Sequence, residues 1–153
     1  MAPSDLYETD FYLWTQAQAE ALRAAGKGRR GSNAVEWERV AEEVEDMGKS
    51  DLRAAESLTV QILIHLFKLA WTEREEPKGH WESEIVTLRG NLARRLTPTL
   101  RNSVETQVED LHREAAEAAR RAFRTEGKGA PIDADLRWTL AQILGEEDDP
   151  LDA

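Results

Sequence analysis

Cysteine is absent from the chain, and with it go disulfide staples, thiolate zinc sites, iron–sulfur ligation and cysteine nucleophiles. Histidine is scarce, with only His65, His80 and His112. A three-histidine metal site would consume all of them, and no HExxH pair is present to start a zincin centre. Basic residues are outnumbered, 20 Lys and Arg against 30 Asp and Glu, for a formal charge of −10. That field repels phosphate backbones and anionic membrane surfaces, so neither nucleic acid nor membrane is an expected partner. Long apolar runs are missing too: the longest, 60–71, is interrupted by His65 and Lys68 and is too short to span a bilayer. Residues 1–20 hold four acids and no Lys or Arg, the wrong polarity for a leader, so the expected compartment is the cytoplasm.

What is there is one domain's worth of chain. The 153 residues, 41% hydrophobic and 33% charged, suffice to bury about 70% of the unfolded surface around one core without staples. The expectation is a single helical domain over 1–153, ordered over 4–145, with an acidic tail at 146–153 that frays.

Apolar residues recur at helical spacing nearly everywhere and alternate nowhere, which predicts an all-α compact bundle of five or six helices. Tyr7, Phe11, Trp14, Gln18, Leu22 and Ala25 form a first stripe that Gly26 should end, with Thr9 or Asp10 as cap. Trp37, Val40, Ala41, Val44 and Met47 form a second seam. Gly48 and Ser50 read as a stop and a new cap, with one long bent helix as the alternative. The segment 58–71 is apolar on most of its circumference and is expected to be the central, most buried helix. Trp81, Ile85, Leu88, Leu92 and Leu96 give a fourth stripe. Thr97 and Pro98 then open a helix expected to run to about Thr125, because proline lacks only an N–H that would be orphaned there. Its alanines Ala115, Ala118, Ala119 and Ala122 suit close helix approach, to another helix of the chain or to a second copy. Leu136, Leu140, Ile143 and Leu144 mark a last helix ending at Gly145.

The order Tyr7-Glu8-Thr9-Asp10-Phe11-Tyr12-Leu13-Trp14, then Trp37-Glu38, Ala41-Glu42-Glu43-Val44-Glu45-Asp46-Met47-Gly48-Lys49-Ser50, and His65-Leu66 with Lys68 resembles the bacterial family catalogued as domain of unknown function 29. The resemblance continues through Trp81, Ile85, Arg89, Thr97-Pro98-Thr99-Leu100 and Gln142-Ile143-Leu144. It implies a small helical protein and brings no activity with it.

The chemistry in the sequence centres on the predicted central helix, where Ser57, Gln61, His65, Lys68 and Thr72 form one polar line on an apolar rod. A buried ammonium or imidazole costs several kcal/mol unless paired. Glu36 and Glu43, on one edge of the preceding seam, are the candidate partners, giving an expected polar cluster of Glu36, Glu43, Gln61, His65 and Lys68. A satisfied network that fixes helix register is the plain reading. A small acid–base or metal site, with Glu43 and His65 as candidate ligands, is the alternative.

The remaining signals are weaker. Glu109 and His112 match half of a di-iron signature whose second half is missing, and His112 is expected on the solvent side. Gly26 to Gly31 has P-loop spacing, but Ser32 follows in place of Lys-Ser or Lys-Thr, and a helix precedes it. Arg23, Lys27, Arg29 and Arg30 make it a candidate anion-binding loop, with a solvated connection as the plain reading. Trp14, Trp37, Trp71, Trp81 and Trp138 are expected in the core. No motif names a cofactor. Two function classes follow: a module that binds another protein or itself, and a small enzyme or metal- or anion-binding protein built on the polar cluster.

Overall fold

The computed structural model describes residues 3–28, 34–125 and 132–153. Among them are seven α-helices, a closing 3-10 turn and no strand: α1 (Pro3–Thr9), α2 (Phe11–Lys27), α3 (Trp37–Trp71), α4 (Lys78–Arg95), α5 (Pro98–Thr106), α6 (Val108–Thr125), α7 (Leu140–Leu144) and the turn Pro150–Asp152. The all-α expectation holds. The helix number exceeds five or six because two predicted helices are each divided. Asp10 leaves helical geometry at φ −152° and caps α2 from its side chain, so Tyr7 belongs to a separate α1. At Gln107 the backbone tightens, its N–H donating to the Val104 carbonyl, before α6 begins.

The expected stop at Gly48 is not there: α3 is one unbroken helix of 35 residues. A Cβ on Gly48 would stand 2.2 Å from Thr15 Oγ1, and one on Gly26 would stand 2.6 Å from the Trp37 Cβ. Gly26 likewise does not end α2, which continues to Lys27. Both glycines serve close approach of antiparallel helices, with Gly26 against Trp37 and Thr15 against Gly48. That packing use of glycine is indistinguishable from a helix stop in sequence alone.

The chain divides into two units, Met1–Ala54 with Leu96–Ser103, and Ala55–Arg95 with Val104–Ala153. In the first, α1, α2 and the opening half of α3 are joined by the start of α5. Asp10 fastens that start: one carboxylate oxygen accepts from the Leu13 N–H of α2 and the other from the Thr99 N–H of α5. Burial alone would raise the Asp10 pKa, but hydrogen bonds from Thr99, Leu13 and Thr97 outweigh it and hold the carboxyl below its ordinary 3.8. Two helix N-termini thus share one anion, as their dipoles favour. Tyr7, Phe11 and Trp14 pack as an aromatic trio, with centroids 4.9–5.6 Å apart.

The second unit holds the larger core. Ile62, Leu63, Leu66, Phe67 and Trp71 from the second half of α3 are buried, as are Trp81, Ile85, Leu88 and Leu92 on α4 and Leu111, Ala115, Ala119 and Phe123 on α6. The α4 stripe is the one read from the sequence except for Leu96, which falls just past the helix end and is half-buried. The central helix is less enclosed than expected, since Gln61 and Ala70 are exposed and Ile64, His65, Lys68 and Leu69 are half-buried. Ala115 and Ala119 are fully enclosed within the chain, so they offer nothing to a second copy.

The two kinds of helical glycine predict opposite outcomes. Gly48→Ala should lose about 1–3 kcal/mol of stability by forcing α2 from α3. Gly90→Ala, where nothing lies within 4 Å of the added Cβ, should gain about 0.5–1 kcal/mol from helix propensity. Urea midpoints of both variants check this; a neutral Gly48→Ala would contradict the close contact.

Candidate functional site

The polar line finds its partners on its own helix and on α4. Gln61 Nε2 donates to Ser57 Oγ, the His65 Nδ1 lies 2.7 Å from the Gln61 carbonyl, and Lys68 Nζ stands 5.6 Å from the centre of the Trp81 ring. The expected carboxylate partners are not brought to it. Glu36 and Glu43 are exposed, and Glu36 pairs with Arg39 at 3.6 Å. The helix runs through Gly48 without a break, with Glu36 before it, Glu43 in its first half and His65 and Lys68 in its second. Among the described residues no group of three or more His, Asp or Glu could hold a metal. From Ser57 to Lys68 the line is an exposed to half-buried helix edge whose cation lies over an indole face.

Of the proposed anion loop, Arg29 and Arg30 lie outside the described residues. Arg23 is taken by carboxylates, donating from Nε to Glu38 at 2.9 Å and from Nη1 to Glu45 at 2.7 Å. These bonds raise the guanidinium's pKa and lower that of Glu45. Lys27 ends α2 exposed to solvent, and His80 is exposed on α4.

His112 overturns its expected outward direction, being 1% exposed. Its Nδ1 lies 2.7 Å from the Val108 carbonyl, and its Nε2 accepts from the Trp138 backbone N–H at 3.0 Å. A carbonyl can only accept and an amide N–H only donate, so the ring is the neutral Nδ1–H tautomer with no lone pair left for a metal. It stacks on the Trp138 indole at 16° and meets Phe67 edge-on. Two more side chains fix the same segment before α7: Trp71 Nε1 donates to the Asp133 carbonyl, and Arg137 grips Glu109 with Nε and Nη2. The half di-iron motif is therefore structural, its Glu holding an arginine and its His a backbone amide.

The acidic tail does not fray as a whole. Asp149 accepts from Arg89 Nη1 at 2.9 Å and Nη2 at 2.8 Å, and Arg89 also donates to the carbonyls of Ile143 and Gln142 at the end of α7. That helix opens with a capping box between Thr139 and Gln142 and closes on Gly145 at φ 75°. The signal for this clamp was Arg89, an arginine four residues after buried Ile85 and three before buried Leu92. Its spacing names no partner.

One side of α3 in the first unit is left open. Trp37, Ala41 and Gly48 turn inward, but Val40 and Met47, placed in the same buried seam by the sequence, are 40% and 45% exposed. With Val35 and Val44 they floor a groove of ≈560 Å³ edged by Glu36, Arg39 and Glu43. The spacing of Val40, Val44 and Met47 makes a continuous apolar ridge of two turns.

The fold and these features define a small all-helical protein in which, among the described residues, every buried side-chain nitrogen and oxygen has a hydrogen-bond partner. The family described as domain of unknown function DUF29 matches residues 6–147, and the chain belongs to it. A solved structure, an alpha-helical protein of unknown function from Rhodospirillum rubrum ATCC 11170, is similar with a TM-score of 0.81 and 30% identity, over 95% of this chain and 93% of that one. No curated protein matches the chain.

His112 sets a pH dependence. Burial first, and then the charge of Arg137, holds its pKa below the ordinary 6.5. The unfolded chain then binds the proton more readily than the folded one. Its contribution is complete above about pH 6.5 and is lost as pH falls through the folded value. His112→Gln keeps at most one of the two bonds and should cost about 1–3 kcal/mol at pH 8. The variant should also show a flatter stability profile as pH falls below about 6.5, above the acid limb that Asp10 and Asp149, both lowered from 3.8, produce. Denaturant melts across this range check both; parallel profiles would rule out the assigned tautomer.

Proposed function

We propose that the chain is a protein-interaction module whose α3 groove receives a basic amphipathic helix of a partner protein. The observation that carries this is the exposed ridge of Val40, Val44 and Met47, extended by Val35. Apolar side chains at i, i+4 and i+7 on an open helix face are the counterpart of the anchors by which amphipathic helices dock. Charge selects the occupant. Residues 36–51 contain seven Asp and Glu against two Lys and Arg, so a bound helix flanked by Lys or Arg gains at the rim. A second copy of this chain would bring the same acidic edge into contact with itself.

The test is fluorescence anisotropy with a labelled Leu/Lys amphipathic helical peptide of about 18 residues and a Leu/Glu counterpart. The Leu/Lys peptide should bind saturably and weaken with salt, and the Leu/Glu peptide should not bind. Val40→Glu with Met47→Glu should abolish binding while thermal stability stays near wild type, since both positions are already exposed. Equal binding by that variant would reduce the effect to diffuse charge, and a wild-type dimer that the same double change dissolves would give the groove to a second copy. Either result, or no binding at all, overturns the proposal.

A further inference from the structure

In the second unit, a cleft of ≈500 Å³ opens beside the closing turn, floored by Leu66, Leu69, Trp138 and Leu151. Its size and apolar, aromatic lining are those of a small-molecule site rather than a helix-docking face. Four charged side chains reach it, and two of them are already engaged. Asp149 is held bidentately by Arg89, and Lys78 Nζ pairs with Glu75 at 2.8 Å. The other two are the exposed carboxylates of Glu82 on α4 and Asp148 on the turn after α7.

From this we infer that the cleft binds an organic cation, an ammonium carried on an apolar or aromatic body, with the body over Trp138 and the leucines and the charge between Glu82 and Asp148. Indole faces and carboxylates both favour a cation, and a leucine floor favours one with a carbon body over a bare metal ion or a polyamine. Two features preorganise the site. The Trp138 ring is stacked on the buried His112, and the turn carrying Asp148 is tied on its far side by the Arg89 bonds to Asp149 and to the end of α7. Neither ring nor turn has to be ordered by the ligand, which lowers the entropic cost of binding. This reading is independent of the α3 groove, which lies in the other unit.

Tryptamine, indole-3-propionate and tryptophan share one body and differ in charge, so calorimetric titration with the three tests the inference. Tryptamine should bind saturably and indole-3-propionate at least about tenfold more weakly. Glu82→Gln and Asp148→Asn should each weaken tryptamine about fivefold, as expected for partly exposed charge pairs. Both positions are exposed, and asparagine accepts the positive φ of 39° at residue 148, so the melting temperatures should not move. Leu69→Arg should fill the cleft and abolish binding. No tryptamine binding, equal affinity for the carboxylate, or indifference to the two carboxamide variants would overturn the inference. Tryptophan binding as tightly as tryptamine would assign Lys78 to a carboxylate and replace the cation class with a zwitterion.

Discussion

The continuity of α3 is the constraint from which the rest follows. A single helix supplies Ala41 and Gly48 to one core and Ala55, Ile62, Leu63, Leu66, Phe67 and Trp71 to the other. Glycine inside a helix costs about 1 kcal/mol relative to alanine, so its presence at Gly48 requires a compensating contact. Thr15 provides it: with its hydroxyl bonded to the Tyr12 carbonyl at 2.6 Å, it leaves no room for a Cβ opposite. The turn between two helices that would have carried Glu43 back toward His65 and Lys68 is therefore absent from this stretch of α3.

Thr15 and Thr59 bond back to carbonyls of their own helices, while other polar side chains of the interior are consumed by the irregular parts of the backbone. Asp10 serves two helix starts, His112 receives a backbone N–H of the segment before α7, and Arg89 covers the carbonyls at that helix's end. Among the described residues no buried side-chain nitrogen or oxygen lacks a hydrogen-bond partner. A group of this kind that served catalysis would need free capacity at the reacting atom, and His112 has none. Function is then sought where side chains are open, on the α3 ridge and in the cleft beside the closing turn.

What the sequence made legible was periodic. The stripe of Trp81, Ile85, Leu88 and Leu92 and the buried segment beginning at Val60 follow from 3.6-residue spacing alone. What it concealed depends on partners far along the chain. Gly48 and Gly26 look like stops until the facing residue is known. His112 steps off the apolar stripe and is buried all the same, because the Trp138 segment covers it. Asp149 sits in a run of four acids, and only Arg89, sixty residues earlier, distinguishes it from its neighbours. The reading of Glu43 failed for a related reason, since wheel geometry gives an angle around a helix and not whether the helix ends.

Burial and charge together underlie the proposal that the open features select cations. A chain at −10 attracts positive partners at long range, but the diffuse field has no address. An address needs apolar surface that the fold has left uncovered beside carboxylates it has left unpaired. On α3, Arg23 neutralises Glu38 and Glu45 on one flank, whereas Glu43 remains beside Val40 and Met47. In the cleft, Arg89 takes Asp149 and leaves Asp148. In both places an internal arginine removes some of the acids from competition, so the residual charge is concentrated next to the apolar ground on which a cationic partner can lie.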